Sequence, residues 1–217
     1  MALRGRQQNT YDDDGFGEPP DSLKPPDLQG KGGSESMESL KSQLLVAIPQ
    51  LPDENFYRAV VLMIQHDDEG AFGVVLNRPS NVTVGEVWEQ AGESCDSLAP
   101  IYVGGPVQGP PMAIHTDNEC NETEILPGVY LATQKENLDR LVQQREHPVR
   151  IFSGYSGWAG GQLEGEMNVG GWLTTLATHE YIFDEAEDLW KRVADDIGNE
   201  ILFFSKGPNG PSDPSMN

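Results

Sequence analysis

The sequence has few basic residues. It contains 14 Lys and Arg against 35 Asp and Glu, which gives a formal net charge of −21 over 217 residues. A surface this negative repels the phosphate backbone of DNA and RNA instead of releasing its counterions. Direct binding to nucleic acid is therefore not expected.

Cysteines and long apolar runs are also scarce. Cys95 and Cys120 are too few for a disulfide framework or a four-thiolate zinc site, and both stand in polar stretches, so we interpret them as unpaired thiols. No run approaches the roughly 18 apolar residues of a membrane span. The first residues also lack the apolar segment of a secretory signal. These absences predict a cytoplasmic protein without a membrane anchor.

Both ends of the chain are rich in glycine and proline. Residues 1–36 hold six Gly and four Pro with few large apolar side chains, so they cannot bury enough surface to offset the entropy of ordering. We expect this segment to be disordered and residues 206–217 to form a flexible tail. Residues 37–205 are then expected to form one domain.

The domain alternates short apolar runs with three helical patterns, which predicts an α+β fold. The apolar run 59–65 is typical of a central strand, and the turn residues 67–70 join it to a second run at 71–76 as a hairpin. An antiparallel pair at the centre argues against a doubly wound parallel sheet. We expect a mixed sheet with about three helices outside it. Further strands are predicted at 43–48, 101–103, 112–115, 129–132, 150–155 and near 201–204.

Each of the three helices begins with the pattern of a capping box, in which an oxygen-bearing side chain precedes Glu by three residues. The third helix is expected to end at Gly198, where a left-handed residue is favourable. The three predicted pairs are Thr83 with Glu86, Thr133 with Glu136, and Asp184 with Glu187.

No motif predicts a catalytic residue, a cofactor or a metal. The glycines of 104–109 follow a predicted strand, but their spacing is wrong for a dinucleotide site and prolines follow where a helix should begin. Ser156 sits in a partial match to a nucleophile elbow, and a tight glycine turn is the better interpretation. The four histidines show no metal-ligand spacing.

The segment 153–166 is the richest in glycine and in polar side chains. If its second half is a strand, alternation places Gln162, Glu164 and Glu166 on one face. Two interpretations stay open: Trp158 fills the core while the glutamates face water, or the segment forms a binding surface. We favour a core position for Trp158.

Five blocks of this chain resemble the YqgE/AlgH family, also known as UPF0301 or DUF179. They occur in the order of the family and span roughly residues 40–198. The blocks are 44–49 with Asp53 and Phe56, 66–79, 103–107, 154–158 leading into 161–166, and Trp172 with Trp190.

The resemblance implies an α+β domain with a bent mixed sheet that approaches a pseudo-barrel. Through the AlgH name it also implies an association with the control of exopolysaccharide gene expression. It supplies no catalytic residues that can be transferred to this chain.

Two functions follow as hypotheses. The first is a non-enzymatic regulatory or interaction protein, whose effect on transcription is indirect because its charge repels DNA. The second is a small-molecule or anion-binding protein, or an enzyme, with a pocket between the loops 77–79, 104–106 and 154–166. The candidate pocket residues are Asn77, Arg78, Gly104, Gly105, His115, Trp158, Gln162, Glu164 and Glu166.

Arg78 is the strongest candidate in that pocket, because a guanidinium can bind a carboxylate or phosphate through two hydrogen bonds. The alternative is an internal ion pair with Glu164 or Glu166, and we favour it because carboxylates are abundant in this chain.

Overall fold

A computed structural model describes residues 39–51, 53–184 and 188–205 of the chain. The predicted disordered segment 1–36 and the predicted tail 206–217 lie outside the described residues. So does Glu187 of the third predicted capping box.

The described residues form strands, short 3₁₀ turns and helices, which confirms the α+β class. The strands in chain order are β1 (Gln43–Ala47), β2 (Val60–Asp67), β3 (Gly70–Val75), β4 (Pro79–Thr83), β5 (Pro100–Val103), β6 (Met112–His115), β7 (Thr123–Leu126), β8 (Val129–Ala132), β9 (Val149–Ser153), β10 (Ser156–Ala159) and β11 (Trp172–Leu176).

The strands divide between two open sheets. The first has the order β10-β3-β2-β1-β11 and is antiparallel throughout, with β2 at its centre and the predicted β2–β3 hairpin present. The second has the order β4-β5-β9-β6-β8-β7, with one parallel pair between β5 and β9. Among the described strands neither sheet closes on itself. The expected bent mixed sheet is therefore divided into two sheets that stack as layers.

Alternation along β1 shows why the layers stack. Leu44 and Val46 point to the cluster between the two sheets, whereas Leu45 and Ala47 point to the outer face of the first sheet. Trp158 belongs to that outer cluster and is 5% exposed, as expected for a core side chain. A third cluster lies on the outer face of the second sheet.

Helices cover the outer faces and one side. They are α1 (Val84–Gln90), α2 (Lys135–Gln143), α3 (Gln162–Asn168), α4 (His179–Phe183) and α5 (Leu189–Ser205). Buried side chains of α3 join the outer cluster of the first sheet, those of α1 and α2 join that of the second, and those of α4 and α5 join the central cluster. In the described part of the chain, no helix is both long and apolar enough to cross a membrane.

One of the three predicted capping boxes forms, and one of the others is wrong. Thr83 and Glu86 exchange both hydrogen bonds at the start of α1. The Thr133 hydroxyl instead donates to Glu122, and α2 begins at Lys135 without a side-chain cap. The Glu122 carboxylate accepts from Thr133 N, Thr133 Oγ1 and Gln134 N, and these hydrogen bonds to a charged group are stronger than the one that the Thr133 hydroxyl would accept from a backbone N–H group.

The C-terminal prediction is also corrected. Asp184 ends α4, and α5 begins at Leu189. The helix continues through Gly198 and includes residues 201–204, which were expected to form a strand. The apolar spacing of Val193, Ile197 and Ile201 keeps a helical period of four across the glycine, and this pattern outweighs the local cost of glycine.

Candidate functional site

The turn before β2 places one arginine in a conformation that side chains rarely adopt. Arg58 has a φ of +50°, in the left-handed region. For a residue other than glycine this conformation costs about 1–2 kcal/mol and persists only where neighbouring groups hold it. The guanidinium carbon lies 5.5 Å from the centre of the Tyr57 ring and 5.0 Å from that of Trp190. The strained backbone therefore presents a cation between two aromatic rings.

Asn77 and Arg78 hold this turn from the end of β3. Asn77 Oδ1 accepts a hydrogen bond from Val60 N at 3.0 Å, and its Nδ2 donates to Arg58 O at 2.8 Å. Arg78 Nη2 donates to Tyr57 O at 3.1 Å. Three hydrogen bonds from two adjacent residues thus fix the backbone on both sides of Arg58.

A third arginine comes from β9. Arg150 is 9% exposed, and its guanidinium donates to Leu76 O at 3.3 Å and to Asp184 O at 3.0 Å. The guanidinium carbon also lies 4.8 Å from the centre of the Tyr102 ring. These contacts bring β9 and the end of α4 against the turn that holds Arg58.

The three arginines line one cavity of about 660 Å³. We call it the arginine pocket and define it by Arg58, Asn77, Arg78, Tyr102, Arg150 and Trp190. Asp184 and Asp188 also line it, but both have contacts of their own: the Asp184 carboxylate accepts from Arg192 Nη1, and Asp188 Oδ1 accepts from Lys191 N.

Arg58 and Arg78 keep hydrogen-bond donors available. Within the described ranges neither has an ion-pair partner, although Asp53 is close enough to Arg78 to interact through its charge. Partial burial lowers the pKa of Arg78, and Asp53 opposes that change. The Arg58 guanidinium, stacked on two aromatic rings, and the Arg78 guanidinium beside it match the donor pattern that phosphate and carboxylate require.

The predicted ion pair of Arg78 with Glu164 or Glu166 is wrong, because both glutamates bind other groups. Glu166 Oε2 accepts from the indole N–H groups of Trp158 at 3.0 Å and Trp172 at 2.9 Å. Glu164 Oε1 lies 2.6 Å from His66 Nε2. Buried donors on neighbouring elements therefore take both carboxylates.

The segment 162–166 is also a helix and not a strand, so it does not present three polar side chains on one face. At helical spacing Gln162 and Glu166 are neighbours, and Gln162 Nε2 donates to Glu166 Oε1 at 3.1 Å. Gly161 precedes the helix with a φ of +77°, a left-handed turn that ends β10 and allows α3 to begin.

His66 and Glu164 form a structural pair. Leu40 N donates to His66 Nδ1 at 3.0 Å, so the proton of the neutral ring is on Nε2 and is donated to Glu164. Burial raises the pKa of Glu164, but the hydrogen bonds from its own backbone N–H and from His66 outweigh burial and leave that pKa lowered. No group of three His, Cys, Asp or Glu side chains among the described residues is arranged to hold a metal ion.

Gly104 and Gly105 serve close backbone packing. A Cβ atom on Gly104 would lie 2.2 Å from Gly154 O, and one on Gly105 would lie 2.3 Å from the carbonyl carbon of Tyr155. Ser156 Oγ also donates to Gly104 O at 3.1 Å. The two glycines join the second sheet to the start of β10, and neither lines the arginine pocket.

His115 lies in the interior of the second sheet. It is fully buried, and neither ring nitrogen has a hydrogen-bond partner within the described residues. Burial lowers the pKa of His115, while the charges of Asp117 and Glu122 raise it and that of His147 lowers it. The net result is a neutral ring that is costly to protonate.

We expect the stability of the protein to fall as the pH drops below about 6.5, the ordinary pKa of histidine. The unfolded chain then binds a proton at His115 that the folded chain does not, so acid favours unfolding. Urea unfolding between pH 7 and pH 5 measures this slope. His115→Phe should make the slope shallower, whereas His179→Gln, at an exposed position, should not change it. An unchanged slope in His115→Phe contradicts the assignment.

Four pocket residues were not among the sequence candidates: Arg58, Tyr102, Arg150 and Trp190. A usable signal was present, because basic residues are scarce and Arg58 directly precedes the apolar run of β2. The positive φ of Arg58 and the approach of Trp190 have no sequence signature.

Comparison with known proteins places these observations in a family context. The AlgH-like family model (DUF179) matches residues 44–202. A UPF0301 protein of Chlorobaculum parvum is 37% identical over 188 residues, which cover 83% of this chain and 97% of that protein. A UPF0301 protein of Myxococcus xanthus is 36% identical, with 80% of this chain and all of that protein covered.

Two solved structures share the fold. The AlgH protein of Pseudomonas aeruginosa, solved in solution, has a TM-score of 0.64 and 29% identity, and the match covers 83% of this chain and all of that one. The crystal structure of protein DIP2367 from Corynebacterium diphtheriae has a TM-score of 0.60 and 24% identity over 74% of this chain and 88% of that one.

Proposed function

The chain belongs to the AlgH-like family, UPF0301, and we propose that it binds a small anion in the arginine pocket without transforming it. The observation that carries this proposal is the convergence of Arg58, Arg78 and Arg150 on one cavity of a chain whose net charge is −21. The anion is a phosphate or carboxylate, because both groups match the planar fork of a guanidinium.

The strain at Arg58 supports the same proposal. Glycine or asparagine would occupy a left-handed position at lower cost than arginine does. Arginine occupies this position nevertheless, and Asn77 and Arg78 hold the turn with three hydrogen bonds. Strain of this kind is concentrated at ligand sites, where it presents a side chain in the binding geometry.

We expect Arg58→Gly to separate stability from binding. Glycine relieves the strained φ, so the free energy of unfolding should stay within about 1 kcal/mol of wild type. Losing a charged hydrogen-bond donor should weaken phosphate binding about 10- to 100-fold. The binding measurement is a titration of the full chain with inorganic phosphate at constant ionic strength, followed by calorimetry and by tryptophan fluorescence, to which Trp190 contributes.

Arg140→Ala is the matched control. It removes one positive charge from α2, where Arg140 forms an exposed ion pair with Glu119. It should leave phosphate affinity within about twofold of wild type, since surface charges beyond a Debye length are screened. Equal losses of phosphate affinity in Arg58→Gly and Arg140→Ala would show that the effect comes from net charge and not from the pocket. An absence of phosphate binding by the wild-type chain would refute the proposed function.

Regulation through protein contacts is the second candidate, and exposed apolar side chains favour it. Leu176 on the edge strand β11 is 72% exposed, and Ile201 on α5 is 60% exposed. Apolar side chains left in water at a sheet edge are typical of contact surfaces. In this role the protein acts in the cytoplasm and affects transcription indirectly, because its charge opposes contact with DNA.

A further inference from the structure

A second cavity of about 550 Å³ adjoins the arginine pocket. Pro100, Tyr102 and Arg150 line both cavities, so they form the ridge between them. Pro100 and Tyr102 are two residues apart on β5, about 7 Å along the strand. A chain of about five or six methylenes spans that distance.

Most residues that line the second cavity are apolar or aromatic, with Asp96, Gln144 and Arg145 among the polar exceptions, whereas three arginines line the arginine pocket. Val84 and Ile151 are each 2% exposed and line it from the core side, and Val142 and Val149 lie beside them. Leu98 lines the same cavity and is 87% exposed. We call this space the Leu98 cavity. A large apolar side chain left in water beside an apolar recess gains stability when an apolar ligand covers it.

The charged groups of the Leu98 cavity neutralise each other. Arg145 Nη2 lies 3.2 Å from both carboxylate oxygens of Asp96, and both side chains are more than 80% exposed at the rim. Arg150 lies on the ridge, with its guanidinium hydrogen-bonded to Leu76 O and Asp184 O. Net positive charge is therefore concentrated at one end of the double cavity.

A peptide strand does not fit this arrangement. β5 forms the ridge, and its two edges are occupied by β4 and β9. A bound peptide would therefore find no free edge on β5 for its backbone hydrogen bonds. The ligand that fits has one charged group and an apolar remainder that requires no hydrogen bonds.

We propose that the ligand is an amphipathic anion, with its head group in the arginine pocket and an apolar chain that crosses Tyr102 into the Leu98 cavity. The proposal rests on the proposed anion-binding function and specifies the class of ligand. Monomeric alkyl phosphates represent that class.

The test is a series of alkyl monophosphates from methyl to octyl, titrated into the full chain below their micelle concentrations. Methyl phosphate reports the head group alone. Each methylene that reaches the Leu98 cavity should improve affinity about two- to fourfold, with the increase beginning where the chain is long enough to cross the ridge. Inorganic phosphate should bind about as tightly as methyl phosphate.

Two variants locate the apolar chain. Ala99→Trp fills the Leu98 cavity from an exposed position, and Leu98→Ser removes its apolar wall. Both should flatten the dependence on chain length and leave methyl phosphate affinity within about twofold of wild type. Leu176→Ser, at an exposed leucine outside both cavities, is the control and should keep the wild-type dependence.

The outcomes distinguish the two proposals. A methyl phosphate that does not bind overturns the arginine pocket itself. Binding of methyl phosphate with no gain from longer chains overturns the amphipathic ligand and keeps anion binding. A gain that persists in both Ala99→Trp and Leu98→Ser places the chain elsewhere and overturns the role of the Leu98 cavity.

Discussion

Replacing Trp158 by alanine lowers the free energy of unfolding by about 3–5 kcal/mol, the range for truncating a buried aromatic side chain. The indole is 5% exposed, with its ring centre 5.8 Å from that of Phe56 and 6.1 Å from that of Trp172. Its N–H donates to Glu166, so the variant loses packing and one donor to a carboxylate.

Urea unfolding followed by circular dichroism measures this loss. Trp158→Phe is the matched variant, because it keeps an aromatic ring in the stack and removes only the indole N–H and part of the volume. Its cost should be smaller, about 1–3 kcal/mol. Trp172 still donates to Glu166 in both variants. A loss below about 1 kcal/mol for Trp158→Ala would show that the ring is not part of the core.

Replacing Arg78 by alanine weakens phosphate binding about 100-fold while the protein stays folded. The guanidinium loses its contact with the anion and also the hydrogen bond to Tyr57 O that holds the turn of Arg58. A charged hydrogen bond contributes about 1.5–3 kcal/mol, or roughly 10- to 100-fold in affinity. The free energy of unfolding should fall by only about 1 kcal/mol, because no buried carboxylate is left without its partner.

A double-mutant cycle of Arg78→Ala with Glu164→Gln tests the expected small loss of stability. Because Glu164 binds His66, the coupling between positions 78 and 164 should be near zero within about 0.5 kcal/mol. The cycle of His66→Gln with Glu164→Gln is the positive control and should show measurable coupling. A stability loss of about 3–5 kcal/mol in Arg78→Ala, with strong coupling to Glu164, would show that these two side chains form an internal ion pair after all.

Elements with a strong local pattern were predicted correctly. The uninterrupted apolar run of β2 predicts a strand paired on both sides, and β1 and β3 flank it. The Thr83–Glu86 capping box predicts the start of α1 within one turn. In both cases the signal lies within a few neighbouring residues: a continuous apolar run for β2 and a capping pair for α1.

Elements whose local signals compete were predicted less well. Residues 162–166 were considered as a strand with one polar face, yet the contacts of Leu163 in the outer core and of Glu166 with two indoles stabilise a helix there. In α5 the apolar face continues past Gly198 and overrides the expected stop. Tertiary contacts decided the first case and the helical spacing of apolar residues the second, because each outweighs a propensity difference of about 1 kcal/mol.

The sequence by itself determined the acidic charge, the α+β class, the central hairpin, the burial of Trp158 and the resemblance to a family, since residue type and short-range period carry these properties. Only the tertiary structure decided the composition of the arginine pocket. Its residues come from five separate segments, and contacts such as Trp190 Nε1 to Ala47 O join positions 143 residues apart. Which donors meet around one cavity depends on how the layers pack, and this packing is a property of the whole chain that no local pattern encodes.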